Sequence, residues 1–334
     1  MTRRSLYFLG LLLLAVFLFF LNILLGDTFI SPKELIDNLQ TDSQIHLIVY
    51  NFRLPKALTA VLVGISLSIS GLLMQTLFRN PIAGPYILGI SSGASLGVSL
   101  VIMGSSLFAG FSFISDTSIV FGALVGSIGI MLILLSILKF VKDIMTLLII
   151  GVMFGAFVSS LSSILQYFSP SSQVKSFVLW TFGNLSNVSY SQIWIMFILI
   201  LVALVFVLFS LKGLNILLLG NTHLSYFGIR SSYLQFSILI ATAILTGVVT
   251  AFCGPIAFVG VIAPHLSRML IKTSDHIKLL PITALLGISI MLLSDILTQI
   301  PGNGLILPIN SVTAFIGVPF VLWILLKPSN KIKI

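Results

Sequence analysis

Apolar runs of about twenty residues alternate with short polar turns along almost the whole chain, and the apolar positions are continuous rather than alternating. Nine such runs lie near residues 5–25, 57–77, 86–104, 117–138, 144–168, 191–211, 233–252, 280–298 and 311–326. With a helical rise of about 1.5 Å per residue, runs of this length suit roughly 30 Å of hydrocarbon. A tenth run, Ile256 to Leu266, cannot cross unaided and predicts a short eighth helix, about 256–266, shielded by its neighbours. A bacterial barrel strand would alternate over roughly ten residues, which these runs do not. The pattern predicts an all-α integral membrane protein: about ten transmembrane helices in a single polytopic domain over 1–334, its first helix at about 5–25.

Composition agrees, with 58% of the 334 residues hydrophobic and 7% charged. The charges add an orientation. With ten crossings and a cytoplasmic amino end, inner loops receive Arg3, Arg4, Arg79, Lys139, Lys142, Lys212, Arg230, Arg268, Lys272, Lys278, Lys327, Lys331 and Lys333. Only Lys33, Arg53, Lys56 and Lys175 fall outside, so both termini are expected in the cytoplasm. Omitting the short run would send Arg268, Lys272 and Lys278 outside. The net charge of +9 is thus largely a matter of orientation, and no basic run or aromatic-interleaved patch suits nucleic acid. The first run is longer than a signal-peptide core and lacks a small-x-small cleavage site, so it reads as a retained helix.

Candidate chemistry is sparse. Cys253 stands alone, and His46, His223, His265 and His276 are scattered without metal-ligand spacing, so neither a metal site nor a cofactor is expected. No paired nucleophile and base marks a catalytic site, and the expectation is a chain that is not an enzyme. Asp295 is the one acidic residue near a span interior and reads as a helix-end or buried hydrogen-bonded group. An ion-coupled secondary transporter, the alternative from another class, often needs intramembrane ionisable groups or interrupted helices. No GxxxxGK[ST] phosphate loop occurs, so ATP, if used, is bound by another subunit. Small residues recur at one-turn spacing: Gly64 with Ser68, Gly89 with Gly93 and Gly97, Gly122 with Gly126, and Gly151 with Gly155. Such stripes let helices pack closely in lipid, and a face that slides during transport would look the same.

Two loops on the inner side are suited to a partner. Residues 217–230 form short helices broken by Gly220 and Gly228, with Leu224 and Phe227 as an apolar knob; an ordinary surface loop has the same composition. Arg79 to Pro85 is a stiff turn, which a plain helix end would also resemble.

Five segments carry a resemblance: RLPK at 53–56, SGLLMQTLFRNPIAGPYILGISSGA at 70–94, LLLGNTHLSYFGI at 217–229, GPIAFVGVIAPHLSR at 254–268 and LPINSVTAFIGVPFVLWILLK at 307–327. In this order they resemble the FecCD-type permeases, the membrane subunits of ABC importers for iron-siderophore, haem and cobalamin. The resemblance implies type II ABC importer permease architecture in a bacterial cytoplasmic membrane. It also implies a second permease subunit, two ATPase subunits below and a substrate-binding protein or lipoprotein above. Within 217–230, Gly220, Asn221, Thr222, His223, Leu224, Phe227 and Gly228 would be the ATPase-coupling residues. Arg79, Asn80, Pro81, His265 and Arg268 would make a secondary cytoplasmic contact, and Arg53 and Lys56 would dock acidic residues of the binding protein. An interfacial anchor for the helix end would use the same two cations. The chain departs from the family pattern at Gln299, Ile306 and Asn310, where a basic residue, an acidic residue and Gly are common. A more neutral outer mouth and a heterodimer follow as expectations. The implied function is inward transport of an iron-siderophore complex or haem by alternating access, with cobalamin as the alternative cargo within the family.

Overall fold

The computed structural model describes residues 3–26, 29–38, 44–107, 115–141, 143–301 and 305–326. Lys142, Lys327, Lys331 and Lys333, counted above for orientation, lie outside them, as do the side chains of Asn221 and Thr222. The described elements are helical: α1 (Arg3–Leu24), α2 (Pro32–Asn38), α3 (Gln44–Ile48), α4 (Leu54–Leu77), α5 (Ile90–Leu107), α6 (Asp116–Ile137), α7 (Ile144–Tyr167), α8 (Ser171–Thr181), α9 (Tyr190–Leu217), α10 (Asn221–Tyr226), α11 (Ser231–Cys253), α12 (Val259–Ile271), α13 (His276–Thr298) and α14 (Ile309–Leu326). A π turn, Val49–Arg53, joins α3 to α4, and a 3-10 turn, Pro85–Leu88, precedes α5. Among the described residues, eight helical stretches are long and apolar enough to cross a membrane, and the shorter apolar helices Ile90–Gly104 and Val259–Ile271 bring the apolar segments to the ten expected. The hydropathy pattern does not reveal α8, an eleven-residue helix between α7 and α9.

The middle of the bundle is α4, whose small polar residues explain its position. Thr59, Ser66 and Ser70 are fully buried, and each hydroxyl donates to a carbonyl of its own helix, those of Pro55, Leu62 and Leu67, at 2.7–2.9 Å. Their polarity is satisfied locally, so the helix can sit inside the protein. Glycines then set the approach of its neighbours. A Cβ on Gly64 would lie 2.6 Å from the Gly287 carbonyl of α13, and one on Gly71 1.7 Å from the Gly260 carbonyl of α12. The other stripes are also matched in pairs: Gly93 faces Gly126 and Gly97 faces Gly122 between α5 and α6, while Gly89 meets Gly155 on α7. Backbone against backbone is the packing that lipid favours, because apolar side chains gain nothing there by leaving solvent.

The short eighth segment differs from its expected bounds. Residues 256–258 are not helical, and α12 begins at Val259 and runs on to Ile271. Gly254 (φ +75°) and Phe258 (φ +68°) turn the chain out of helix geometry, and Gly317 of α14 leaves room for the Phe258 ring. Backbone left open inside a bundle needs partners. The Ile256 N–H donates to the Tyr86 hydroxyl at 3.1 Å, the Ala257 N–H to Asn310 Oδ1 at 3.1 Å, and the Asn184 N–H to the Cys253 carbonyl at 2.8 Å. Asn310 thus holds the break between α11 and α12.

Candidate partner surfaces at the two ends of the bundle

One end is organised by α10. Gly220 enters it at φ 132°, and the exit is a glycine C-cap: the Ile229 N–H donates to the Leu224 carbonyl at 2.9 Å and the Gly228 N–H to that of Ser225 at 3.1 Å, with Gly228 at φ +70°. Leu224 is 1% exposed and joins the main core, with Ile229 packed against the same core. The other side faces outward: Tyr226 is 84%, Leu219 65% and Phe227 63% exposed, and the His223 ring lies edge-on to Tyr226 at 6.3 Å. The residues expected here therefore divide. Leu224 anchors the helix, whereas His223 and Phe227 are presented, joined by Leu219 and Tyr226. One-turn spacing on α10 links 223, 226 and 227, a signal legible in the sequence once the helix is granted.

The 79–85 turn adjoins this surface. Arg79 stands at φ 47°, and its Nη2 donates to the Leu217 carbonyl, the last of α9, at 2.7 Å. Asn80 Oδ1 accepts from the Ile82 N–H at 3.1 Å, which shapes the turn through Pro81. His265 and Arg268, expected beside these residues as partner contacts, face into the bundle instead. His265 is 3% exposed and meets the Phe320 ring edge-on at 6.0 Å. Arg268 donates to Gln75 Oε1 and, at 3.4 Å, to Thr76 Oγ1, because α12 lies against α4 along its length. Beyond the membrane helices, Asp275 caps α13; a hydrogen bond from Lys278 holds its carboxyl below the usual range, helped by Asn215 and the Ile277 N–H against the opposing effect of burial.

At the opposite end, Arg53 and Lys56 are engaged within the chain. Arg53 Nη1 donates to the Ile23 and Leu24 carbonyls at 2.8 and 2.9 Å, placing a cation on the negative end of α1. Gly26 makes the space, since a Cβ there would lie 2.5 Å from the guanidinium. Lys56 Nζ pairs with Asp295 Oδ1 at 2.9 Å, and Asn22 Nδ2 donates to Asp295 Oδ2 at 2.8 Å. The side chains of Lys56 and Asp295 are 14% and 2% exposed. Asp295 is thus the buried, hydrogen-bonded residue its position suggested, but its partner is a cation expected to face a binding protein. Docking through these cations would require them to leave intramolecular bonds, and leaving Asp295 unpaired is costly. The two surfaces lie at opposite ends of α4.

The model of the FecCD transport family matches residues 13–327. This chain belongs to the FecCD transport family. Among curated relatives, this FecCD permease is 35% identical to the vitamin B12 import system permease protein BtuC of Citrobacter koseri, over 95% of this chain and 92% of that one. It is 34% identical to the hemin transport system permease protein HmuU of Yersinia pestis, over 95% and 94%. A solved structure described as an inward-facing metal-chelate type ABC transporter superposes with a TM-score of 0.83 at 29% identity, covering 97% of this chain and 99% of that one. The FecCD protein is therefore an ABC importer permease, a multi-span protein of the bacterial inner membrane.

Proposed function

We propose that this permease passes a large iron chelate, a ferric siderophore or haem, inward across the cytoplasmic membrane by alternating access. Two ATPase subunits bind at the α10 end, an extracytoplasmic binding protein at the opposite end, and a second permease subunit alongside. The observation that supports this most is α10 itself: a six-residue helix locked by Leu224 that presents Tyr226 and Phe227 on a chain matched along nearly its whole length by importer permeases. Large apolar side chains exposed beyond a membrane helix suit a protein partner. The excess of Lys and Arg on that side supports a cytoplasmic α10 and cytoplasmic termini. At the outer end, Arg53 and Lys56 shape the rim on which the binding protein settles, and Lys56 offers it the small part of its side chain that is exposed.

A corrinoid is the second cargo reading, favoured by the 35% identity to a vitamin B12 permease. Permease, ATPase and binding protein reconstituted in vesicles are expected to give ATP-dependent uptake of one among a ferric siderophore, haem and cobalamin, and none without the ATPase. Uptake driven by an ion gradient alone would establish secondary transport instead. For the coupling surface, Leu224→Ala is expected to release α10 and reduce ATPase co-purification by more than about tenfold, since deleting a buried Leu costs about 2–5 kcal/mol locally. The unfolding temperature of the bundle should move little. Undiminished co-purification would place the ATPase elsewhere.

A further inference from the structure

The last turn of α9, on which α10 is mounted, is held from two sides. From the end of α4, Arg79 donates to the Leu217 carbonyl. From α13, the His276 backbone N–H donates to Asn215 Oδ1 at 2.9 Å, and ring Nδ1 lies 2.7 Å from the same oxygen. A backbone N–H only donates, so it fixes that atom of Asn215 as oxygen and turns Nδ2 toward Asp275 Oδ1 at 3.0 Å. His276 Nδ1 then carries the proton, and Nε2 accepts from Thr76 Oγ1 at 2.8 Å. The single Thr76 hydroxyl proton is shared between His276 Nε2 and the Leu72 carbonyl at 2.9 Å, and Arg268 of α12 donates to the hydroxyl oxygen. Thr76 and His276 are 0% and 1% exposed, so these bonds form away from water, where directional contacts are strong and an unmatched group is costly.

We propose that Asn215, His276 and Thr76 form a positioning chain that carries displacement of α10 from the last turn of α9 into α13 and α4, so that these helices turn together. The inference rests on the ABC importer reading with an ATPase at α10. Between α9 and α10 stand only Leu218, Leu219 and Gly220, and the buried Leu224 packs α10 into the same core as Leu214 and Leu217 of α9. Apolar helix faces resist a small slide weakly, whereas a hydrogen bond holds one register. Without the chain, a push passed to the last turn of α9 is absorbed as that turn slides past α13 and α4. With it, the push reaches α4, the helix that joins both ends of the bundle.

The test uses the complete complex in vesicles and reads ATP hydrolysed per substrate molecule imported. Thr76→Val keeps the shape and removes the hydroxyl; it is expected to raise that ratio about tenfold, on the scale of one lost hydrogen bond. Thr76→Ser keeps the hydroxyl and should restore the wild-type ratio. Asn215→Leu should match Thr76→Val, and the double variant should be no worse than the worse single one, as links in series require. The unfolding temperature of the complex reports folding separately, and the Thr76 pair decides the matter if Asn215→Leu folds poorly. An unchanged ratio in Thr76→Val, a Thr76→Ser ratio equal to that of Val, or additive effects in the double variant would each overturn the chain. Wild-type uptake that ignores ATP would instead overturn the importer reading.

Discussion

Gly71→Val is expected to abolish the folded permease, leaving no monodisperse protein after detergent extraction. The added Cβ would stand 1.7 Å from the Gly260 carbonyl oxygen and 2.4 Å from its carbon. Both obstacles are backbone, so no side chain can rotate away, and the α4–α12 crossing must open. Overpacking a core usually costs about 1–3 kcal/mol, but that range assumes neighbours able to shift. Here α12 is pinned by Gln75, whose Nε2 donates to the Val261 carbonyl at 3.0 Å, and by Arg268 on the same α4 turn. The control is Gly129→Ala on α6, where an added Cβ meets nothing within 4 Å and wild-type yield is expected. A Gly71→Val protein that elutes and unfolds like wild type would show that the crossing is looser than its geometry.

Removing either Lys56 or Asp295 alone should lower stability by about 3–5 kcal/mol, because each leaves the other as an uncompensated buried charge. The pair is 2.9 Å apart, and Asp295 also accepts from Asn22, so α1, α4 and α13 meet at this carboxylate. Lys56→Met and Asp295→Leu are each expected to depress thermal unfolding in detergent strongly. Their combination should recover more than half the loss, because two apolar side chains replace two matched charges. The cycle separates this pair from a docking role: binding-protein affinity should follow folding in the single variants and return in the double one. Single variants that unfold at the wild-type temperature while losing the binding protein would instead make Lys56 a docking residue.

Much of the exposed α10 surface was legible along the chain. Gly220 and Gly228 bracket a short helix because each position needs a backbone that other residues adopt with strain, and Leu224 with Phe227 marks its apolar faces. Hydropathy cannot tell which of the two turns inward, since Leu and Phe suit a core and a partner equally well. The charged residues were read less well for a related reason. Arg53, Lys56, His265 and Arg268 lie near predicted span ends, where a cation ordinarily faces water, yet each turns into the protein. Their partners are remote in sequence: Asp295 is far from Lys56, and Gln75 is 193 residues from Arg268.

The sequence by itself determined the membrane setting, the ten apolar segments, the family and the position of the short helix α10. All of these follow from local signals: run length, the sign of loop charges, and turn residues at fixed spacing. Only the tertiary structure decided which glycine faces which, that Asn310 supports the break before α12, and that α4 occupies the middle of the bundle. It also decided that Lys56 belongs to Asp295 and that Asn215, His276 and Thr76 form one hydrogen-bonded chain. The reason is physical: a helix satisfies its own backbone, so its sequence specifies that it forms and spans. The choice of neighbour depends on shape and on a few directional bonds between residues that only the completed bundle brings within 3 Å.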